Sequence, residues 1–184
     1  MAQNAAIHRF EISLADGDRG VYADLDLRVA RHPSESGVFL AARILAYNLE
    51  YADGIQFSKG GVSDVDEPAL SIFDLRGDRQ AWIEVGAPSA ARLHRASKAT
   101  PRVALYTDRR IDILRTSVAG ERIHRSEHLL VTAFARDFLR GIEGTLERNN
   151  RWSVSIADGH LYLTLPALTL DTAIEPVPLV PAAG

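Results

Sequence analysis

Asp64-Val65-Asp66-Glu67-Pro68, Asp74-Leu75-Arg76-Gly77-Asp78, Ala81-Trp82-Ile83-Glu84-Val85-Gly86 and the following run with Arg92, Arg95 and Lys98 form the stretch whose reading decides the fold. Gly77-Asp78 predicts a hairpin turn, and residues 81–86 predict a strand, because Ile83 and Val85 alternate with Trp82 and Glu84. One face of that strand is buried, which leaves Glu84 on the opposite face near the strand's end. Gly86 and Pro88 break the strand, Ser89 is placed to cap a helix, and Arg92, Arg95 and Lys98 recur along one stripe of that helix. The helix start turns its positive dipole end toward Gly86. Carboxylates beside such donors suit a Mg²⁺- or Mn²⁺-dependent phosphodiester site, where hard oxygen ligands hold the ion and cations neutralise phosphate.

Working outward, Val103–Thr107 is an apolar run of strand length after the basic helix, so the unit strand, helix, strand predicts parallel pairing with residues 81–86. Upstream, strands Ala6–Leu14 and Val21–Val29 flank the turn Ala15-Asp16-Gly17-Asp18-Arg19-Gly20, each with one buried and one wet face. Pro33 introduces a helix from Ser34 to about Tyr51, with Phe39, Ala42, Leu45 and Leu49 on its apolar stripe and Glu35 at its positive end. Ile55–Ser58 reads as a short strand, and Lys59-Gly60-Gly61 as a loop without Walker spacing whose lysine is a candidate phosphate contact. Downstream, Arg109–Val118 predicts a short helix, and residues 127–147 fit either one helix or a strand to about Phe134 followed by a helix. Trp152–Ala157 and His160–Leu165 form a hairpin around Asp158-Gly159. The remainder from about Pro166, with Pro176, Pro178 and Pro181, covers a sheet edge or stays irregular.

The 184 residues, 46% hydrophobic and 24% charged, predict a single globular domain over the whole chain. No apolar run reaches the roughly 18 residues that span a bilayer, and Met1-Ala2-Gln3-Asn4 has no leader pattern, so a cytoplasmic protein with no membrane partner is expected. The lack of cysteine excludes disulfides, thiolate zinc sites and cysteine nucleophiles together. His124 and His128 are four apart but lack the zinc-protease pattern, no Gly-x-Ser-x-Gly elbow occurs, and neither does a dinucleotide fingerprint. Charge is uneven along the chain. Residues 1–91 carry 8 basic and 14 acidic side chains, 92–125 carry 9 and 3, and 126–184 carry 4 and 7. The middle block is a candidate polyanion footprint, or a solvated face whose arginines pair with the protein's own acids.

Taken together, Arg31-His32-Pro33-Ser34-Glu35, Phe57-Ser58-Lys59-Gly60, Asp66-Glu67-Pro68-Ala69-Leu70, Asp74-Leu75-Arg76-Gly77, Trp82-Ile83-Glu84-Val85-Gly86-Ala87-Pro88 and Val103-Ala104-Leu105-Tyr106-Thr107 resemble the bacterial YaeQ family from about Ala6 to Leu165. The resemblance implies an α/β fold, a variant of the PD-(D/E)XK nuclease-like fold in which helices flank a central mixed sheet. It implies a metal-dependent nuclease-like protein acting on DNA or RNA, with Glu67 and Glu84 as ligands of Mg²⁺ or Mn²⁺ and Arg95 and Lys98 as phosphate contacts. Asp74 is the competing ligand, since a turn at Gly77-Asp78 sets Glu84 opposite Ser71 or Ile72, whereas the superfamily's layout favours Glu67. Glu35, on the first helix, stands where some such folds carry a third acid. Three departures point the other way. Gly86 stands where the nuclease motif has a lysine, Arg95 where relatives commonly have a lysine, and Ala87 where they have glutamine. The alternative is a catalytically inactive nuclease-fold protein that binds nucleic acid or a protein partner in a regulatory role.

Overall fold

The computed structural model describes residues 5–59 and 66–181. They form a mixed α/β fold with two sheets where one central sheet was the expectation. In the first, β1 (Ala6–Asp16) and β2 (Val21–Arg31) join β8 (Asn149–Ala157), β9 (His160–Thr164) and β10 (Thr169–Ala173) in the order β10-β9-β8-β1-β2, parallel between β1 and β8 alone. The second holds β3 (Ile55–Phe57), β4 (Leu70–Phe73), β5 (Arg79–Val85), β6 (Arg102–Thr107), β7 (Leu130–Ala133) and β11 (Val177–Pro178) in the order β11-β7-β6-β5-β4-β3. Its strands β5, β6 and β7 run parallel, as the strand, helix, strand reading requires.

Two sheets arise because the hairpins at the chain ends are amphipathic on their own account. Phe10, Ile12 and Leu14 alternate with Arg9, Glu11 and Ser13, and Trp152, Val154 and Ile156 alternate with polar neighbours, so each hairpin has one face that must be covered. The cover is α1 (Gly37–Leu49), buried around most of its circumference and packed in one core with both sheets and with α4 (Arg136–Glu143). Ser36 caps α1 by accepting from the Phe39 backbone N–H, so the helix begins after Glu35. The outer face of the second sheet packs Trp82, Leu105 and Val131 against α2 (Ala90–Ala99) and α3 (Ile111–Val118). Strand β5 is therefore buried on both faces, where alternation predicts one wet face.

Residues 127–147 divide into a 3-10 turn ending at His128, then β7 and α4, the second of the two sequence readings. The tail pairs with both sheets. β10 extends the first, and β11 takes the edge of the second, where Pro178 lacks only an edge N–H. The hairpin register also differs from the sequence reading. Ser71 stands opposite Trp82 and Ile72 opposite Ala81, with an irregularity between Ile72 and Phe73 that absorbs one position. Among the described residues no helix is long and apolar enough to cross a membrane.

Candidate functional site

Glu84 lies near the carboxyl end of β5, on the face covered by α2. Gly86 follows at φ 100°, a backbone that other residues rarely adopt, and turns the chain toward Ser89, whose side chain caps α2 by accepting from the Arg92 N–H. The turn drops the first coil of α2 beside the carboxylate. Arg92 Nε donates to Glu84 Oε1 at 2.6 Å, and Trp82 Nε1 donates to the same oxygen at 2.6 Å. The side chains of Glu84 and Arg92 are 5% and 20% exposed, so the pair is largely removed from water. Arg92 NH2 also donates to the backbone oxygen of Glu67 at 2.7 Å, which ties the strand's end to the segment before β4.

The carboxylate of Glu67 faces elsewhere, onto Arg79 NH2. Arg79 and Arg92 both lie over the Trp82 indole, with guanidinium carbons 5.0 and 5.8 Å from the ring centre. Two acid–arginine pairs are thus gathered around one indole. Arg95 pairs with Asp66 at 3.0 Å in the open, and Lys98 is exposed one turn further along α2. Asp74 sits in the turn that begins the β4–β5 hairpin. Its Oδ1 accepts from the backbone of Arg76 and Asp78, its Oδ2 from Gln80 Nε2, and these donors, the Asp78 N–H foremost, hold its carboxyl below the usual range. The register places this turn at the opposite end of β5 from Glu84, so Asp74 builds the hairpin and the structure does not bring it together with Glu84.

A divalent ion needs several oxygens turned toward one point. Glu67 and Glu84 reach one guanidinium instead, the first through its backbone and the second through its carboxylate. In this arrangement the donor set does not fit Mg²⁺ or Mn²⁺, and among the described residues no group of three potential metal ligands is present. Asp64 and Val65 lie outside the described residues. Arg79 and the pairing role of Trp82 are absent from the sequence reading. Their signal is faint, an arginine and a tryptophan spaced three apart on a strand preceding an acid.

Glu35 is not part of this constellation. It lies just before the cap of α1 and forms a buried pair with Arg43 at 2.8 Å, and its Oε2 also accepts from the His32 N–H. Burial pushes the Glu35 carboxyl up against the opposing pull of Arg43, and burial likewise pulls Arg43 down.

The basic block divides in the same way. Arg92, Arg95 and Arg102 meet Glu84, Asp66 and Glu50, Arg110 meets Asp112, and Arg115 donates to the tail carbonyls of Pro178 and Leu179. Lys98, Arg122 and Arg125 are exposed and, among the described residues, have no carboxylate partner. His94 Nδ1 lies 3.0 Å from the Arg122 carbonyl, which holds the loop carrying Arg122 and Arg125 against α2. Arg125 adopts a left-handed backbone, φ 50°, and borders a small crevice with Ser97, Thr100 and His128.

A family model described as YaeQ protein matches residues 1–174. The uncharacterised YaeQ protein of Escherichia coli is 38% identical over 108 residues, a stretch that covers 58% of this chain and 59% of that protein. Its counterpart from Salmonella typhi is 36% identical over 107 residues and is matched over 58% of its length. The crystal structure of YaeQ from Pseudomonas syringae superimposes with a TM-score of 0.84 at 30% identity, covering 94% of this chain and 96% of that one. That from Xanthomonas axonopodis pv. citri gives 0.83 at 28% identity, with the same coverage.

Proposed function

The chain belongs to the YaeQ family, and from that premise and the geometry of the site we propose that it binds nucleic acid through phosphate without hydrolysing it, as a non-catalytic protein of PD-(D/E)XK-like fold. The observation that carries this reading is the division of the basic block. Cations beside the acids are neutralised within the fold, whereas Lys98, Arg122 and Arg125 stand out from it. An acid that serves metal-dependent hydrolysis must offer its oxygens to the metal, and Glu84 offers Oε1 to two donors of the protein itself. A phosphate backbone, by contrast, asks only for accessible positive groups. Residues 92–125 contain one Tyr and no Phe or Trp, and Tyr106 is buried, so the reading rests on contact with phosphate, which tolerates any sequence.

The test is fluorescence anisotropy of a short fluorescein-labelled DNA duplex against salt, with parallel gels in Mg²⁺ and Mn²⁺. Three phosphate contacts give a slope of log affinity on log salt of about −3. Replacing Lys98, Arg122 and Arg125 together by alanine brings that slope near zero, and the duplex stays intact throughout. Scission that depends on Glu84 would restore the metal-dependent nuclease reading. Failure of the triple variant to alter the slope, or no binding at all, would leave a protein partner as the function of this surface.

A further inference from the structure

At the far end of α1 the two sheets do not close on each other. A cavity of about 370 Å³ opens there between the β1–β2 turn, the β8–β9 turn, the start of β6 and the connector that carries Ile174 and Pro176 from one sheet to the other. Most of its wall is apolar, with Leu49, Ala104, Leu130, Ile156, Ile174 and Pro176 on it. The polar part is small and internally matched. Glu50, buried at the end of α1, accepts from Tyr106 OH at 2.7 Å and from both terminal nitrogens of Arg102. Opposite, buried Asp16 accepts from Arg19 through its backbone N–H at 3.0 Å and Nε at 2.6 Å. The same guanidinium donates to the carbonyls of Asn48 and Tyr51, where α1 ends. Asp18 accepts from the backbone of Asp158 and Gly159 at 2.7 and 2.9 Å.

We propose that this cavity is a binding site for a small uncharged molecule with an apolar body and one hydroxyl or amide head. Apolar walls enclosing a few converging polar groups are the common form of a small-molecule site, and the volume lies in the usual range. The head's charge follows from the lining. Among the described residues that line it, Asp16, Asp18 and Glu50 stand against two cations, Arg19 and Arg102, so an anionic head meets an excess of acid. A cationic head would lose its hydration to carboxylates already held by guanidinium, phenol or backbone donors. An uncharged head avoids both costs. It accepts from a guanidinium N–H not used in the contacts above, or donates to the Tyr106 phenolic oxygen, which burial beside Glu50 keeps protonated. This site shares no residue with the Glu84 constellation or with the Lys98, Arg122 and Arg125 surface, and it stands whether or not nucleic acid binds.

The experiment titrates the full-length protein, its Leu and Ile methyl groups ¹³C-labelled, with three probes of one shape: 4-propylphenol, 4-propylbenzoate and 4-propylbenzylamine. Site-specific shifts of Leu49, Ile156 and Ile174 are expected with the phenol, at a dissociation constant of about 1 mM or tighter, and at least about tenfold weaker binding with either charged probe. Ala104→Leu fills the space and lowers phenol affinity about tenfold or more, with an unfolding temperature no lower than that of the wild type. Tyr106→Phe, which keeps the ring and removes one of the two partners open to the head, weakens the phenol several-fold. No localised shifts, equal or tighter binding of a charged probe, or phenol binding unchanged in both variants would overturn the proposal.

Discussion

Glu35–Arg43 and Glu84–Arg92 are the same sequence device at two depths: an acid before a helix cap and, eight residues on, an arginine within the helix. In the first pair the side chains are 1% and 2% exposed, and Arg43 is further held by the Ala30 carbonyl and the face of Phe57. In the second, Arg92 is open enough to reach both Glu84 and the Glu67 backbone, and an indole replaces the apolar surround. Depth therefore separates a pair that can only pin the core from one that fixes a strand end near the surface. It also shows why a carboxylate on a strand before a basic helix is weak grounds for catalysis. The first arginine of that helix, Arg92, is the nearest counter-ion for the acid.

The largest effect should come from breaking the deeper pair. Arg43→Ala leaves Glu35 in the core without its counter-ion, and urea unfolding should show a loss of about 3–5 kcal/mol. Arg92→Ala acts on a pair with more access to water and should cost about 1–3 kcal/mol in the same measurement. Equal losses would erase the distinction in depth. Outside both pairs, Gly77 closes the β4–β5 turn at φ 89° with open space where a Cβ would stand. Gly77→Ala should cost about 1 kcal/mol from backbone strain alone, and a larger loss would mean that the hairpin's register moved with it.

Acidity probes the deeper pair and the hairpin turn. Burial holds the Glu35 carboxyl above its ordinary value, so its folded form takes up a proton before its unfolded form does. Its contribution to stability is fully present below the unfolded value and is lost as pH rises through the folded one. Glu35→Gln should remove that component from stability measured across the mildly acidic range. Asp74 has the opposite sign. Donors of its own turn hold its carboxyl low, so its contribution is present above the usual carboxylate range and is lost as pH falls through the lowered value. Asp74→Asn should flatten that acid limb, a smaller effect, read from the unfolding temperature.

Much of this layout is legible in the sequence. The Asp158-Gly159 hairpin, the β5–α2–β6 unit and its parallel pairing, and the apolar stripe of α1 follow from turn chemistry and periodicity. The second sheet was not legible, because strand patterns say which face is buried and not which strand lies alongside. Pairing β1 with β8 joins residues about 140 apart, and nothing local records it. Within the site, Glu84 and its basic helix were readable, but whether Arg92 turns inward or outward depends on the angle at Gly86 and on the indole beneath it. The surroundings of Asp74 were not legible either, because the donors that its carboxylate accepts from, the Arg76 and Asp78 N–H groups and the Gln80 amide, are set by the turn's geometry and not by residue spacing.

The central claim is that Glu84's charge is matched inside the fold. Mn²⁺ binding followed by the loss of the free-ion electron paramagnetic resonance signal tests it most directly, with wild type and Glu84→Gln compared at neutral pH. Equally weak binding by both proteins, with a dissociation constant of about 1 mM or more, is the predicted result. Tight binding by the wild type that Glu84→Gln abolishes would contradict it.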